Sequence, residues 1–204
     1  MKLSKFAALV KREGRCRVIR QGDHTWLSLE CAIYKADGLP EIHGPTQAQT
    51  VLDLPDKAWK KIFYDEDTAE SASDICGVDM TESMREERQT EAHPMQLCYK
   101  KGIITTALRC DDGELVFYDA SLIGPVADIV RDSDYAQIVA RKNSAGATMI
   151  VIKNGFEPIA AIAPIKILSK DFVADLADLD SLCVEQYEKA KFKIDNVGAN
   201  REED

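Results

Sequence analysis

Three segments in the second half of the chain, 135–142, 147–153 and 156–167, read as strands and constrain the fold more than any other feature, and Asn154-Gly155 separates the last two. Alternation of apolar and polar residues is the period of a half-buried strand. Asn-Gly is a strong hairpin signal because a type I′ turn needs positive φ at both central residues. The three segments therefore predict an antiparallel meander. A hairpin precedes it: Ile104, Thr106, Leu108 and Cys110 alternate, Asp111-Asp112-Gly113 turns the chain, and Leu115 and Phe117 begin the return, so 103–118 reads as two strands. Between hairpin and meander, Asp119 or Ser121 caps a helix to about Val130, with Leu122, Val126, Ile129 and Val130 inward and Pro125 in the first turn.

The first 64 residues carry a similar order. Leu3, Phe6, Ala7 and Val10 recur at helical spacing over 3–12, with Gly14 where the helix stops. Cys16 and Val18, then Leu27, Leu29, Cys31 and Ile33, alternate as strands around a Gly22-Asp23 turn. Residues 35–47 read as a loop, Thr50 to Leu54 as a short strand, and Lys57 to Tyr64 as a helix opened by Pro55-Asp56.

Charge divides the chain where hydrophobic pattern does not. The 204 residues sum to −9, yet 65–94 alone contributes −8 and 195–204 contributes −3, leaving a remainder of +2. The 65–94 stretch is acidic and poor in aromatics, with at most one solvent-facing helix near 81–91, so it is expected to be a mobile insertion or linker. The expected organisation is a first α/β unit at 1–64, the insertion at 65–94, a second α/β unit at 95–168, a C-terminal helix at 169–194 and a frayed tail at 195–204. Together these describe an α+β chain of antiparallel sheets with short helices packed on one face.

No apolar run reaches the roughly 20 residues of a membrane span, and Met1 to Arg12 reads as an amphipathic helix rather than a signal peptide. The six cysteines are dispersed without a CxxC pair, which fits reduced thiols behaving as small hydrophobes and a cytoplasmic location.

The sequence lacks GxGxxG, GxxxxGK[ST], HExxH and GxSxG, so the common phosphate cradles, metal clamps and nucleophile elbows are missing. His24, His43 and His93 fall in separate turns and loops, short of the four clustered ligands of a structural zinc site. A Cys31–His24 nucleophile pair is disfavoured because an apolar alternation stabilises a thiolate poorly. Asp111-Asp112 and Asp65-Glu66-Asp67 resemble Mg²⁺ ligands, but a hairpin turn and a solvated acidic stretch account for them. Binding without catalytic residues, metal or cofactor is therefore the expectation.

Basic residues gather elsewhere. The first 35 residues hold eight Lys or Arg against three acids, and Lys57, Lys60 and Lys61 form a second cluster. If Lys5, Lys11 and Arg12 share a face with that cluster, the surface suits a phosphate backbone, bound mainly by counterion release. The competing reading is a solvated helix face.

Phe117-Tyr118-Asp119-Ala120-Ser121-Leu122-Ile123, followed by Ile159-Ala160-Ala161-Ile162-Ala163-Pro164-Ile165-Lys166-Ile167, resembles the final repeat of a DNA sliding clamp. In that family a short helix leads into three antiparallel strands and a Met-Pro-Val-Arg-like ending, whose place Ala163-Pro164-Ile165-Lys166 takes here. The resemblance covers about 50 residues, and residues 3–64 match an earlier repeat only in element order. It implies two αβββ-like units with helices toward DNA, charge from Lys5, Lys11, Arg12, Lys57, Lys60 and Lys61, and a cleft for replication proteins or peptides near Ile162, Pro164 and Ile165. Three features depart from the family: material for one domain rather than two or three, so that a ring requires several copies; Asp128 and no Lys in the 121–130 helix; and the acidic insertion with the extra C-terminal helix. A clamp fold reused by a phage or mobile element accommodates these departures. Two rival readings are an acidic protein-interaction module that binds no nucleic acid and a small-molecule enzyme of a plan without recognised motifs.

Overall fold

The computed structural model describes residues 1–69, 77–80, 87–99, 102–167 and 170–199, and the chain divides into two units, Met1–Ile165 and Lys166–Asp204. The first unit is built on one ten-stranded sheet. In chain order it runs α1 (Leu3–Glu13), β1 (Arg15–Gln21), β2 (His24–Ser28), β3 (Ala32–Lys35), α2 (Pro45–Val51), α3 (Asp56–Trp59), β4 (Phe63–Thr68), β5 (Arg88–Tyr99), β6 (Ile103–Cys110), β7 (Leu115–Asp119), a 3₁₀ helix (Ala120–Val126), α4 (Ala127–Asp132), β8 (Ala136–Lys142), β9 (Thr148–Asn154) and β10 (Glu157–Ile162). Among its described residues the second unit holds one helix, α5 (Lys170–Ala199).

Strand order across the sheet is β4-β1-β2-β3-β10-β9-β8-β5-β6-β7. Two meanders, β1-β2-β3 and β8-β9-β10, meet through their last strands, with Tyr34 opposite Ala160 and Ala32 opposite Ile162. Every pairing is antiparallel except β1 with β4, which is parallel and sets Arg17 beside Asp65.

Helices cover one face. The α1 stripe Phe6, Ala7, Leu9 and Val10 is buried against Val18, Leu27, Tyr34, Ile150, Ile152 and Ile162. Gly14 ends α1 at φ 69°, donating its N–H to the Val10 carbonyl at 2.9 Å, a left-handed cap that glycine adopts without Cβ strain. Phe6 meets Tyr34 edge to face at 5.7 Å, and the Tyr34 hydroxyl donates to the Leu122 carbonyl at 2.6 Å. One aromatic thus ties α1, β3 and the 3₁₀ helix together.

The opposite face is also apolar. Ile19, Trp26, Ile33, Val139, Val151 and Ala161 point to it and are covered by Ala69, Val78 and Met80. The central strands are buried on both sides, so β9 and β10 read as nearly continuous apolar runs. On this same face the fully buried Arg141 and the nearly buried Lys153 converge on Glu87, at 2.7 and 2.9 Å. Arg141 also donates to the Asp79 carbonyl at 2.6 Å. This cluster fastens 79 and 87 to β8 and β9.

Several expectations need correction. Residues 50–54 are not a strand: Pro45 opens α2, which runs to Val51. The helix expected at 57–64 is the short α3, and Phe63 already begins β4. The described part of the expected mobile insertion is ordered structure: 65–68 lie in β4, Val78 and Met80 are buried, and β5, a strand the sequence pattern does not signal, starts at Arg88, inside the expected insertion. Its acids are engaged by Arg17–Asp65 at 2.8 Å and Arg20–Glu66 at 3.0 Å. Within β5, the pairing to β6 shifts between His93 and Gln96, where Pro94 has no N–H to give the ladder. Most of the helix expected at 81–91 lies outside the described residues. The β9–β10 turn uses Gly155 and Phe156, since Asn154 pairs with Glu157, and Gly155 at φ 64° alone takes positive φ. Glycine at the first central position is the demand of a II′ rather than a I′ turn.

Burial of Glu87 opposes its charge, but the hydrogen bonds from Lys153 and Arg141 outweigh that and hold its carboxyl below the usual range. Its stabilisation is therefore present above the ordinary carboxylate pKa and is lost as pH falls through the lowered value. Glu87→Gln is expected to cost about 3 kcal/mol at pH 7, because two buried cations lose their anion. Urea denaturation should show the gap between wild type and variant closing in acid; a gap independent of pH would refute the charge assignment.

Candidate nucleic-acid interface

The α1 stripe turned to the core leaves Lys5, Lys11 and Arg12 exposed on the helix-covered side. At the cap, the Gly14 carbonyl accepts from the Phe63 N–H at 2.8 Å, and a Cβ at Gly14 would lie 3.6 Å from the Lys61 carbonyl. The last turn of α1 is thereby set against the α3–β4 connection. In α3, Trp59 packs on the core and meets Tyr64 at 5.7 Å, while Ile62 just beyond the helix also faces inward. Lys57, Lys60 and Lys61 consequently face out.

These constraints bring Lys11, Lys57 and Lys61 around a shallow depression of about 340 Å³, floored by Pro55 and Ala58. Among the described residues none of the three has a carboxylate within ion-pair distance; Asp56 beside them accepts from the Gln49 side chain at 2.7 Å. Three ammonium groups in one concavity, without a paired carboxylate among the described residues, attract an anion, and lysines do so as point charges without the fixed fork by which arginine reads a shape.

The remaining predicted cations lie apart. Lys5 is exposed with its stem near Gly124, and Lys60 is exposed outside the depression. Arg12 is committed to structure: it pairs with Asp119 at 2.8 Å and Glu13 at 2.7 Å and donates to the Ser121 hydroxyl at 2.5 Å. Asp119 in turn caps the 3₁₀ helix, accepting from the Ser121 N–H at 2.8 Å. On α4, Asp128 pairs with Lys2 and Arg131, so that helix adds no net basic surface.

Of the three residues expected to line a partner cleft, Ile162 is fully buried and serves the core. Pro164 and Ile165 are half-buried, and the Ile165 N–H donates to the Phe117 carbonyl of β7 at 2.7 Å. A peptide would meet only these two.

A second cavity, of about 310 Å³, opens on the opposite face among Arg15, Arg17, Glu30, Cys31, Asp67 and Met149, a grouping the sequence pattern does not signal because it joins separate strands and turns. No histidine lines it among the described residues; His24 pairs with Asp37 at 2.7 Å instead of meeting Cys31. Burial pushes the Cys31 thiol up to about 11, so it is protonated at neutral pH and unsuited to nucleophilic attack. Among the described residues one group could offer three metal ligands, Cys110, Asp112 and Glu114, but both carboxylates face the Arg88 guanidinium at 2.6 and 2.5 Å.

Compared with protein-family models, curated proteins and solved structures, the chain matches none significantly.

With a pKa of about 11, Cys31 is roughly 0.1% thiolate at pH 8. Iodoacetamide should label it far more slowly than the exposed Cys183, with a rate still rising above pH 9; mass-spectrometric mapping that finds Cys31 labelled first would refute this assignment.

Proposed function

We propose that this chain is a non-catalytic, clamp-like binding protein that contacts DNA through Lys11, Lys57 and Lys61, in replication or a mobile-element process. The carrying observation is the convergence of those three lysines, from segments more than 40 residues apart in sequence, on one depression without a neutralising carboxylate among the described residues. Further support comes from element order: a helix and then three antiparallel strands occur as α1-β1-β2-β3 and again as α4-β8-β9-β10, with the helices of both on one face. The 117–167 segment that resembles a sliding-clamp repeat spans β7 to the end of β10 and beyond. Contact through a few lysines to phosphate positions a duplex without reading its sequence.

The rival interaction-module reading loses three of the ten acids of 65–94 to internal pairs, since Asp65, Glu66 and Glu87 are bound by Arg17, Arg20, Arg141 and Lys153. The enzyme reading has a cavity, but burial keeps the Cys31 thiol lining it protonated at neutral pH and no histidine lines it among the described residues.

Fluorescence anisotropy with a labelled DNA duplex tests the proposal. Affinity should fall with salt, and the triple variant Lys11→Ala, Lys57→Ala, Lys61→Ala should flatten the log–log salt slope by about 0.9 for each phosphate it no longer neutralises. Lys142→Ala in β8 should leave the slope unchanged. Absence of binding at low salt, or a triple variant that binds as wild type, would overturn the reading.

A further inference from the structure

The cavity of about 310 Å³ on the face opposite the helices takes no part in the DNA reading, and its lining carries both signs of charge. Pockets of this size hold small molecules, and their few convergent polar groups set which ones. Strand register orders those groups here. On β1, Arg15, Arg17 and Ile19 share the face that opens to the cavity, and β4 runs beside them with Phe63 opposite Arg15, Asp65 opposite Arg17 and Asp67 opposite Ile19. On the other side of β1, Ser28 of β2 stands opposite Arg17, so Glu30, two residues on in the β2–β3 turn, lies toward the Arg15 end.

Arg17 is held by Asp65 at 2.8 Å. Arg15 is half-buried and rests over the Phe63 ring at 5.4 Å, with no carboxylate within ion-pair distance among the described residues. Glu30 and Asp67 are exposed and have no cation within that distance among the described residues; Asp67 accepts from the Thr68 N–H at 2.8 Å. What remains is one cation with a carboxylate toward its end of the cavity, and a second carboxylate four residues along β1, about 13 Å away by strand rise. Buried Ile19 and Met149 supply an apolar wall. The complement of this set is a molecule with one anionic group, a cationic group next to it, and a second cation at the far end of an apolar stem. We propose that the cavity binds a free dibasic amino acid. Its α-carboxylate pairs with the Arg15 guanidinium, whose planar fork suits a carboxylate; its α-ammonium meets Glu30, its side-chain cation meets Asp67, and its methylenes lie along Ile19 and Met149. A simple anion would face both carboxylates, and a plain diamine would leave Arg15 without a counterion.

The test titrates free lysine, at neutral pH and constant ionic strength, into the isotope-labelled full-length chain followed by heteronuclear NMR. Saturable amide shifts should concentrate at 15–19, 28–32 and 67–69 and spare 57–61. Three analogues each omit one group: cadaverine the carboxylate, ε-aminocaproate the α-ammonium, and norleucine the side-chain cation. Each should bind at least about tenfold more weakly than lysine. Arg15→Gln should bind lysine and cadaverine alike, and Asp67→Asn should bind lysine and norleucine alike. Such a loss of one discrimination with the other retained is not the signature of a damaged fold, and the unperturbed spectrum of each variant reports that the first unit stays intact. Absence of saturable shifts, norleucine matching lysine on wild type, or variants that keep wild-type discrimination would each overturn the proposal. Because Lys11, Lys57 and Lys61 are untouched, DNA affinity of the same variants reports separately on the DNA reading.

Discussion

The first unit depends on the pairing of β3 with β10. Both strands end their own meanders, and their antiparallel junction turns two three-stranded sheets into the centre of a ten-stranded one. Around that junction Ile33, Tyr34, Ala160, Ala161 and Ile162 are fully buried, with alternate residues serving opposite faces. A sheet buried on both faces must be covered twice. Helices supply one cover; Ala69, Val78 and Met80, with Glu87 beside them, supply the other.

The second cover gives the acidic stretch its role. A buried arginine and lysine on one face of β8 and β9 are tolerable only with an anion at hand. Glu87 provides it, and Val78 and Met80 close the apolar surface alongside. On the helical side, Tyr34 and the Arg12–Asp119 pair lock α1 to the 3₁₀ helix, and the Gly14 cap sets the end of α1 against α3. The lysine depression is a by-product of that packing: apolar positions turned inward leave lysines outward, and the close approach of two chain segments gathers them.

Much of the architecture is legible in the sequence. The meander, the hairpin 103–118 and α1 occur where apolar runs, alternation, helical period and turn residues predict them, because each is specified by neighbours within a few residues. β10 nevertheless ends at Ile162 rather than 167, and the helix capped at Asp119 is 3₁₀ to Val126 before α4. Residues 63–68 and 88–94 are not legible in this way, since the acids of 65 and 66 pair with distant arginines and composition cannot show a partner elsewhere in the chain. Residues 45–54 mislead because Pro45 at the first turn, rather than the later β-branched Thr50 and Val51, decides the local state. The candidate lysines are legible as a list; Arg12 leaves that list because its partner, Asp119, is more than 100 residues away in sequence.

Sequence alone therefore determined the local elements outside 45–54, 63–68 and 88–94, the positions of the basic residues and the absence of the familiar catalytic motifs. Tertiary structure decided that β10 joins β3, that β4 runs parallel to β1, that Ile162 is core, and that Lys11 meets Lys57 and Lys61. The reason is one of range. Periodicity and turn chemistry act over a few residues, whereas strand partnership and the meeting of side chains depend on which edges and faces find complementary surface once the chain is compact.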